Sequence, residues 1–529
     1  MKEKKRQILP IAGEVLLTVY LYLISYFYTL SPPLSLTAPL RLLVFYGMVH
    51  LGCGQLKKIR FALADEAGRK NLKFGVLVFA ATAAVLIVYW IAWYPGGLIV
   101  DTFNQWYQVQ QGFLLDWHPA IHTLLFLKLP SLICNSLAFI NLVQIVWLGL
   151  ASAYLGMVLE RWGIKKRYIL AAQLLGFGHP AASIVHSFCW KDTALTIFVI
   201  VLAGQVLEIV FSDGAWLKRW DHLLAYGLCG ALAALMRHNA ILLVGPLMLL
   251  TAFFYWKEIR YYCFLPGMCT LLFMAAIKGP VYRLLDVQSH PQVSAEMLGV
   301  PMTILANVLI HNPEALDPEA REFLYRIGDR ELWEENYVEG NWNSAKWMGD
   351  DISNDVIEEV GAGKVLLYTW HALQREPRYA YRAAVKLFEV VWKPAGTHVT
   401  WSYSINVDSG NIYGYETRGV FWMQKLLNRF RQASVKGTPL TTWGWHIGFF
   451  ILLLSFAGVS RLGDCKKLCL CWLPILCYDF GTALLLCGPD FRFFSFNTVV
   501  VFPLLLALLS ERDGKNQQRK STKKVVKYC

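Results

Sequence analysis

The sequence predicts an all-α polytopic membrane protein, and three observations carry that reading. Of the 529 residues, 56% are hydrophobic and only 16% are charged, against about 25% charged in soluble domains. Apolar runs of about 20 residues recur along the chain, the length at which a helix crosses the hydrocarbon core. Lys and Arg collect in alternate short connections, as they do where one side of a membrane is favoured for positive charge. Together these exclude soluble enzymes, collagen-like chains and disordered scaffolds. The formal charge of +13 comes from 50 Lys+Arg against 37 Asp+Glu. In a membrane protein it needs no nucleic acid partner.

Twelve spans are expected, at about 8–30, 36–56, 74–93, 138–158, 168–186, 192–211, 222–237, 240–256, 261–278, 443–460, 468–487 and 493–510. The first follows Lys2, Lys4, Lys5 and Arg6 and ends at Ser31-Pro32-Pro33. It is too long for the core of a signal peptide and reads as a retained anchor. His179-Pro180 marks a helix break, and Met236-Arg237-His238-Asn239 splits one apolar stretch into two helices. One set of short connections holds 28 Lys+Arg, and the opposite set holds Lys191, Arg237 and Arg492. The first set is therefore cytoplasmic, with both termini inside. Pro119 to Asn135 is apolar enough to span, but counting it would place Arg161 to Arg167 outside. It is read as a helix in the outer interface, or as re-entrant.

The chain thus divides into two N-terminal spans with a basic loop (1–73), a membrane core (74–278) with an outer loop at 94–137, an external domain (279–442), three last spans (443–510) and a basic cytoplasmic tail (511–529). Between 280 and 440 there are 16 Lys+Arg and 20 Asp+Glu. This part reads as water-soluble and mainly helical. Asp317-Pro318-Glu319 starts a helix to Ile327, Glu376-Pro377 opens another to Trp392, and Phe421 to Phe430 forms a third. Asn336 to Asn343 and Pro394 to Gly414 read as loops. The 12 Cys are scattered, without a zinc pattern, and read mostly as small buried hydrophobes.

The outer short connections carry few ionisable groups: Asp101, Asp116, Asp192 and Asp490, with Lys191, Arg237 and Arg492. His118 and His122 stand beside them. Charge beside hydrocarbon is costly, so such groups usually line a wet cavity. Asp101 suits a carboxylate that takes a proton from an acceptor hydroxyl, or a cap on a helix starting at Thr102. Lys191 suits a phosphate contact or snorkels. Asp192 orients Lys191, helps hold a divalent cation, or caps its span. Arg237, with His238 and Asn239 at the break, offers a fork for phosphate oxygens, or satisfies the broken backbone. Asp490 and Arg492 form an internal ion pair, or Arg492 is a second phosphate ligand oriented by Asp490. Asp479, the acid deep within a span, marks a function or pairs with Arg41 or Lys278. His118 and His122 have helical metal-pair spacing, yet no third ligand is fixed, so no metal site is assigned.

In this order and sidedness the motifs resemble the GT-C superfamily of membrane glycosyltransferases, which includes aminoarabinose transferases and protein O-mannosyltransferases. Asp101 lies where the family keeps its acidic residue, in the first large outer loop. His118-Pro119-Ala120-Ile121 is similar to the start of the family's interfacial helix, which Lys128-Leu129-Pro130-Ser131 and the span from Leu137 continue. Gly230 to His238 resembles its Gly-Leu-Ala-x-x-Thr-Lys-Gly segment, and Asp490-Phe491-Arg492-Phe493 its Asp/Glu-x-Arg-Tyr. The likeness covers about 74–280 and 440–510. The chain departs from the better-known members by two extra early spans, a single acid at 101, Arg237 in place of Lys, and a soluble domain before the last three spans.

The resemblance implies a polyprenyl-phosphate-linked sugar as donor and a lipid, glycan or protein as acceptor on the outer face of a plasma membrane. Asp101 would be the general base. Asp116, His118, Lys191, Asp192, Arg237, His238, Asn239, Asp490 and Arg492 would bind substrate, and no organic cofactor is implied. A transporter or flippase of a lipid-linked saccharide is the first alternative, and a receptor or assembly scaffold the second. No Asn-x-Ser/Thr sequon occurs, which fits a bacterial membrane.

Overall fold

The structure is a computed structural model that describes residues 2–29, 37–61, 71–289, 296–346, 348, 352–399 and 401–510. The basic tail, the Ser31-Pro32-Pro33 turn and most of the loop after Lys58 lie outside the described residues. Among the described residues the only strands are one parallel pair, Leu114–Leu115 against Val287–Gln288. The fold is all-α.

Among the described residues seven helices are long and apolar enough to cross a bilayer: Ile8–Phe27, Leu72–Ala92, Leu137–Arg161, Lys191–Phe211, His238–Cys263, Leu265–Leu284 and Phe491–Leu508. An eighth counts if Pro439–Trp445 and Ile447–Arg461, which meet at 91°, are one span. The other expected spans are also helical. The fifth is broken at the expected place into Lys166–Gly178 and Pro180–Val185. There His179 turns its ring to accept from the Ala181 N–H at 3.1 Å, capping the second piece. Trp220–Met236 and Leu473–Ala483 are apolar but short, 17 and 11 residues.

Lys191–Phe211 is the hub of the bundle, with 89% of its apolar window buried, whereas Leu265–Leu284 has 17% buried and lies at the periphery. At the C-terminal end of the hub, Glu208 pairs with Arg161 and accepts from Trp162 Nε1 at 3.2 Å. These contacts lock it to Leu137–Arg161.

The Pro119–Asn135 stretch is one short helical run, Ala120–His122, a π-helical turn at Thr123–Lys128, and Leu129–Ser131. At 1.5 Å per residue these 12 residues reach about 18 Å, well short of a 30 Å hydrocarbon core.

The stretch read as one external domain splits between two cores. Gly299–His311, Pro318–Ile327, Arg330–Asn336, Ile352–Val360 and Ala362–Arg375 enclose their own, centred on Met302, Leu305, Phe323, Trp333 and Trp342. Leu387, Val390, Val391 and Ile405 instead join the main core. The loop from Pro394 to Gly414 folds back over the bundle. It pairs with the connection after Leu72–Ala92 through Leu98 N–H to Asn406 O at 3.0 Å and Asp408 N–H to Leu98 O at 2.8 Å.

Candidate functional site

Four chain breaks deliver the charged residues to one place. Asp101 sits in the first turn of the helix Val100–Gln111, without capping it. Tyr94-Pro95-Gly96-Gly97 turns the chain into that helix. Gly96 has φ +105°, and a Cβ there would collide with the Asn141 side chain. Gly97 lies against the Phe188 ring and pairs with Phe188 in a parallel bridge, which brings the 94–99 and 186–190 connections together. Lys191 and Asp192 open Lys191–Phe211. Arg237 is extended between Trp220–Met236 and the turn His238–Ala240. Asp490 caps the turn Phe491–Phe494 by accepting from the Arg492 N–H at 3.0 Å.

Arg492 is the hinge of the cluster. Its Nη1 donates to Asp101 Oδ2 at 3.0 Å, and its Nε is 2.9 Å from Asp490 Oδ2. Its guanidinium lies 5.3 Å from the Trp190 ring and 5.2 Å from that of Phe493. Arg237 grips Asp192, donates to Asn239 Oδ1 at 3.0 Å, and stacks 4.0 Å from Phe493 on the way. Asn239 in turn donates to Thr482 Oγ1 at 2.9 Å. Phe493 is thus an aromatic floor shared by both arginines. Asp192 does not cap its helix; Arg237 holds its Oδ1. Among the described residues no group of three or more His, Cys, Asp or Glu is arranged to hold a metal ion.

Lys191 does not snorkel. Its Nζ lies 3.1 Å from His118 Nδ1, and no carboxylate of the described residues is within 4.0 Å of it. His118 is buried, and burial with the neighbouring Lys191 charge pushes its pKa down to about 3. A neutral His118 can accept from Lys191. His122 is likewise pushed down to about 3 by burial and by Lys191. Its Nδ1 is 2.6 Å from Gln105 Oε1, which also accepts from Thr123. Burial works to raise the Asp101 carboxyl, but Arg492 and Lys191 outweigh it and hold it well below the usual carboxylate range. Asp490 goes the other way: burial raises it, and Arg492 and Tyr403 only partly restore it.

Asp116 stands at the edge, accepting from Ala120 N–H at 3.0 Å and Tyr282 OH at 3.4 Å, with Lys278 Nζ at 3.6 Å. His238 is exposed at the rim, within electrostatic reach of Lys278, Asp116 and Lys191. Lys278 is therefore not the partner of Asp479, and neither is Arg41, which lies over Tyr26. Asp479 is buried and accepts instead from Asn497 Nδ2 at 2.9 Å.

Tyr403 belongs to this site and sequence reasoning missed it. Its hydroxyl donates to Asp490 Oδ1 at 2.5 Å, and its ring packs edge-on to Trp190 at 5.2 Å. Nothing in the Pro394–Gly414 composition marks it out from Tyr413. Its membership follows only from the fold-back onto Leu98.

Buried Asp192 Oδ2 and Trp190 Nε1 have no hydrogen-bond partner among the described residues. Compared with protein-family models, curated proteins and solved structures, the chain matches none.

Proposed function

We propose that this protein is a GT-C-type membrane glycosyltransferase. It moves a sugar from a polyprenyl-phosphate donor to an acceptor hydroxyl on the outer face of the membrane, with inversion. The observation that carries the reading is the convergence of an ionised carboxylate, Asp101, with Arg492, Arg237 and Lys191 at one rim of an apolar bundle. In the proposed reaction the acceptor oxygen bonds to the anomeric carbon while the bond from that carbon to the phosphate oxygen breaks. Asp101 takes the hydroxyl proton. Polyprenyl phosphate leaves, its charge stabilised by cations already in place, a contribution that is often the largest in catalysis. Lys191 meets the phosphate first, as the cation of the three without a carboxylate against it. The reading includes twelve spans, both termini in the cytoplasm and a plasma-membrane location. It also includes an external segment, tied in through Tyr403, that holds the acceptor.

The test uses purified protein with polyprenyl-phosphate-linked sugars. Transfer by the wild type and its loss in Asp101→Asn is the expected result. Unchanged transfer in Asp101→Asn removes Asp101 as the base. A buried Asp479 inside a span favours a second reading, a transporter or flippase. That reading prevails if no donor supports transfer and the protein moves lipid-linked saccharide between leaflets.

A further inference from the structure

The helix Phe421–Val435 lies across the outer ends of the bundle. Gln424 Nε2 donates to Ala92 O at 2.7 Å, at the end of the helix Leu72–Ala92, and just before it Arg418 N–H donates to Tyr94 O at 2.7 Å. Near its other end Trp445 Nε1 donates to Ser434 Oγ at 3.0 Å, just before the helix Ile447–Arg461. The helix is thus pinned where spans leave the hydrocarbon. Its inward face packs Met423, Leu427 and Val435 on the core.

The other face is not covered. Phe421, Trp422, Leu426 and Phe430 are 76, 66, 46 and 57% exposed, and the last three recur four residues apart. Lys425 and Arg429, also exposed, stand between them four residues apart. Neither has a carboxylate within 4.0 Å among the described residues, and the helix contains no Asp or Glu. Phe421, Gln424, Lys425, Asn428, Arg429 and Gln432 line one open face of the helix. Most of the chain's basic residues lie in other connections, and the 280–440 stretch is net acidic. Two unpaired cations flanked by aromatics at a bilayer boundary are matched by an anionic headgroup above acyl chains.

We propose that this face is a binding site for an anionic glycerophospholipid. Lys425 and Arg429 hold the headgroup phosphate, and Trp422, Leu426 and Phe430 rest in the acyl region. The site is separate from the charged cluster and does not depend on the transfer reaction.

Trp422 reports on the site. The full-length protein is placed in lipid nanodiscs with increasing mole fractions of bromine-labelled phosphatidylglycerol or bromine-labelled phosphatidylcholine. The signal is the fluorescence quenching present in wild type and absent in Trp422→Phe. At about fivefold per cation near a membrane surface, the wild type should reach half-quenching at roughly 30-fold less phosphatidylglycerol than phosphatidylcholine. The preference should vanish in Lys425→Gln/Arg429→Gln and shrink in wild type at high salt. Arg429→Lys, which keeps the charge, should retain most of it. Equal quenching by both lipids overturns the proposal, as does a preference that survives the double substitution. Absence of Trp422 quenching by either lipid overturns it too, and shows a protein surface over this face.

Discussion

The contact between Asp101 and Arg492 joins residues 391 positions apart at 3.0 Å, and a double-mutant cycle measures it. Asp101→Asn keeps the shape and removes the charge. Arg492→Gln also removes the partner of Asp490 and the stacking on Trp190 and Phe493, so its single effect exceeds the pair's own contribution. The cycle cancels those extra losses. A hydrogen bond between ionised groups contributes about 1.5–3 kcal/mol. The two side chains are 27 and 19% exposed, so solvent screening brings the expected coupling to about 1–2 kcal/mol. The assay is detergent-titration unfolding of wild type, both single variants and the double variant in mixed micelles. The folded-state pKa of Asp101 lies below its ordinary 3.8. Its contribution is therefore complete above that value and is lost as pH falls through the lower one. The coupling should stay constant from pH 5 to 8. Additivity within about 0.4 kcal/mol would refute the pairing, and a coupling that fades near pH 6.5 would assign it to a histidine instead.

Three further outcomes follow from the same geometry. His118 and His122, both held near 3 against 6.5 when unfolded, each bind a proton in the unfolded chain first. Stability should fall with acidification below pH 6.5, by about 1.4 kcal/mol per pH unit for each, and His118→Gln/His122→Gln should flatten that slope in the same unfolding assay. Tyr403→Phe removes a hydroxyl from Asp490 and keeps the ring, so a loss of about 1–3 kcal/mol is expected, with faster proteolytic cleavage between Pro394 and Gly414. Lys191→Gln should leave stability nearly unchanged and weaken binding of polyprenyl phosphate by about 10–100-fold, the worth of one charged hydrogen bond; unchanged binding would mean that Lys191 does not face the phosphate.

Helices were legible because local chemistry decides them. Apolar runs, Pro180 after His179, and the Asp317-Pro318 and Glu376-Pro377 starts needed no tertiary information. The last two helices begin at Pro318 and Pro377, as expected. Gly299–His311 was missed: an apolar 13-residue helix resembles a piece of a span, yet it forms the centre of the second core. The site was legible as an inventory, since charge near hydrocarbon stands out by its cost. The pairings were not. Arg237 with Asp192 and Arg492 with Asp101 depend on which loops meet, and that is set by contacts such as Gly97 on Phe188. Tyr403 carries no charge to draw attention, and its place depends on the backbone pairing of Leu98.

The pairings change what the cluster can do. Lys191, Arg237 and Arg492 are offset by Asp101, Asp192 and Asp490, so the site has no surplus of positive charge before a ligand arrives. A phosphate entering beside Lys191 gains full use of Arg492 only by competing with Asp101. In the proposed reaction that competition has a consequence. Loss of Arg492 removes the main force holding the Asp101 carboxyl low, and a nearby phosphate charge raises it further. Asp101 thereby becomes a stronger base once the donor is bound, which is when an acceptor hydroxyl must lose its proton. The acidic limb of kcat, which reports the donor-bound enzyme, should therefore lie at higher pH than the limb of kcat/KM assigned to Asp101. Arg492→Lys, with one compact charge in place of a fork, should narrow that gap. Coincident limbs in the wild type would mean that Arg492 stays on Asp101 throughout, leaving the phosphate to Lys191 and Arg237 alone.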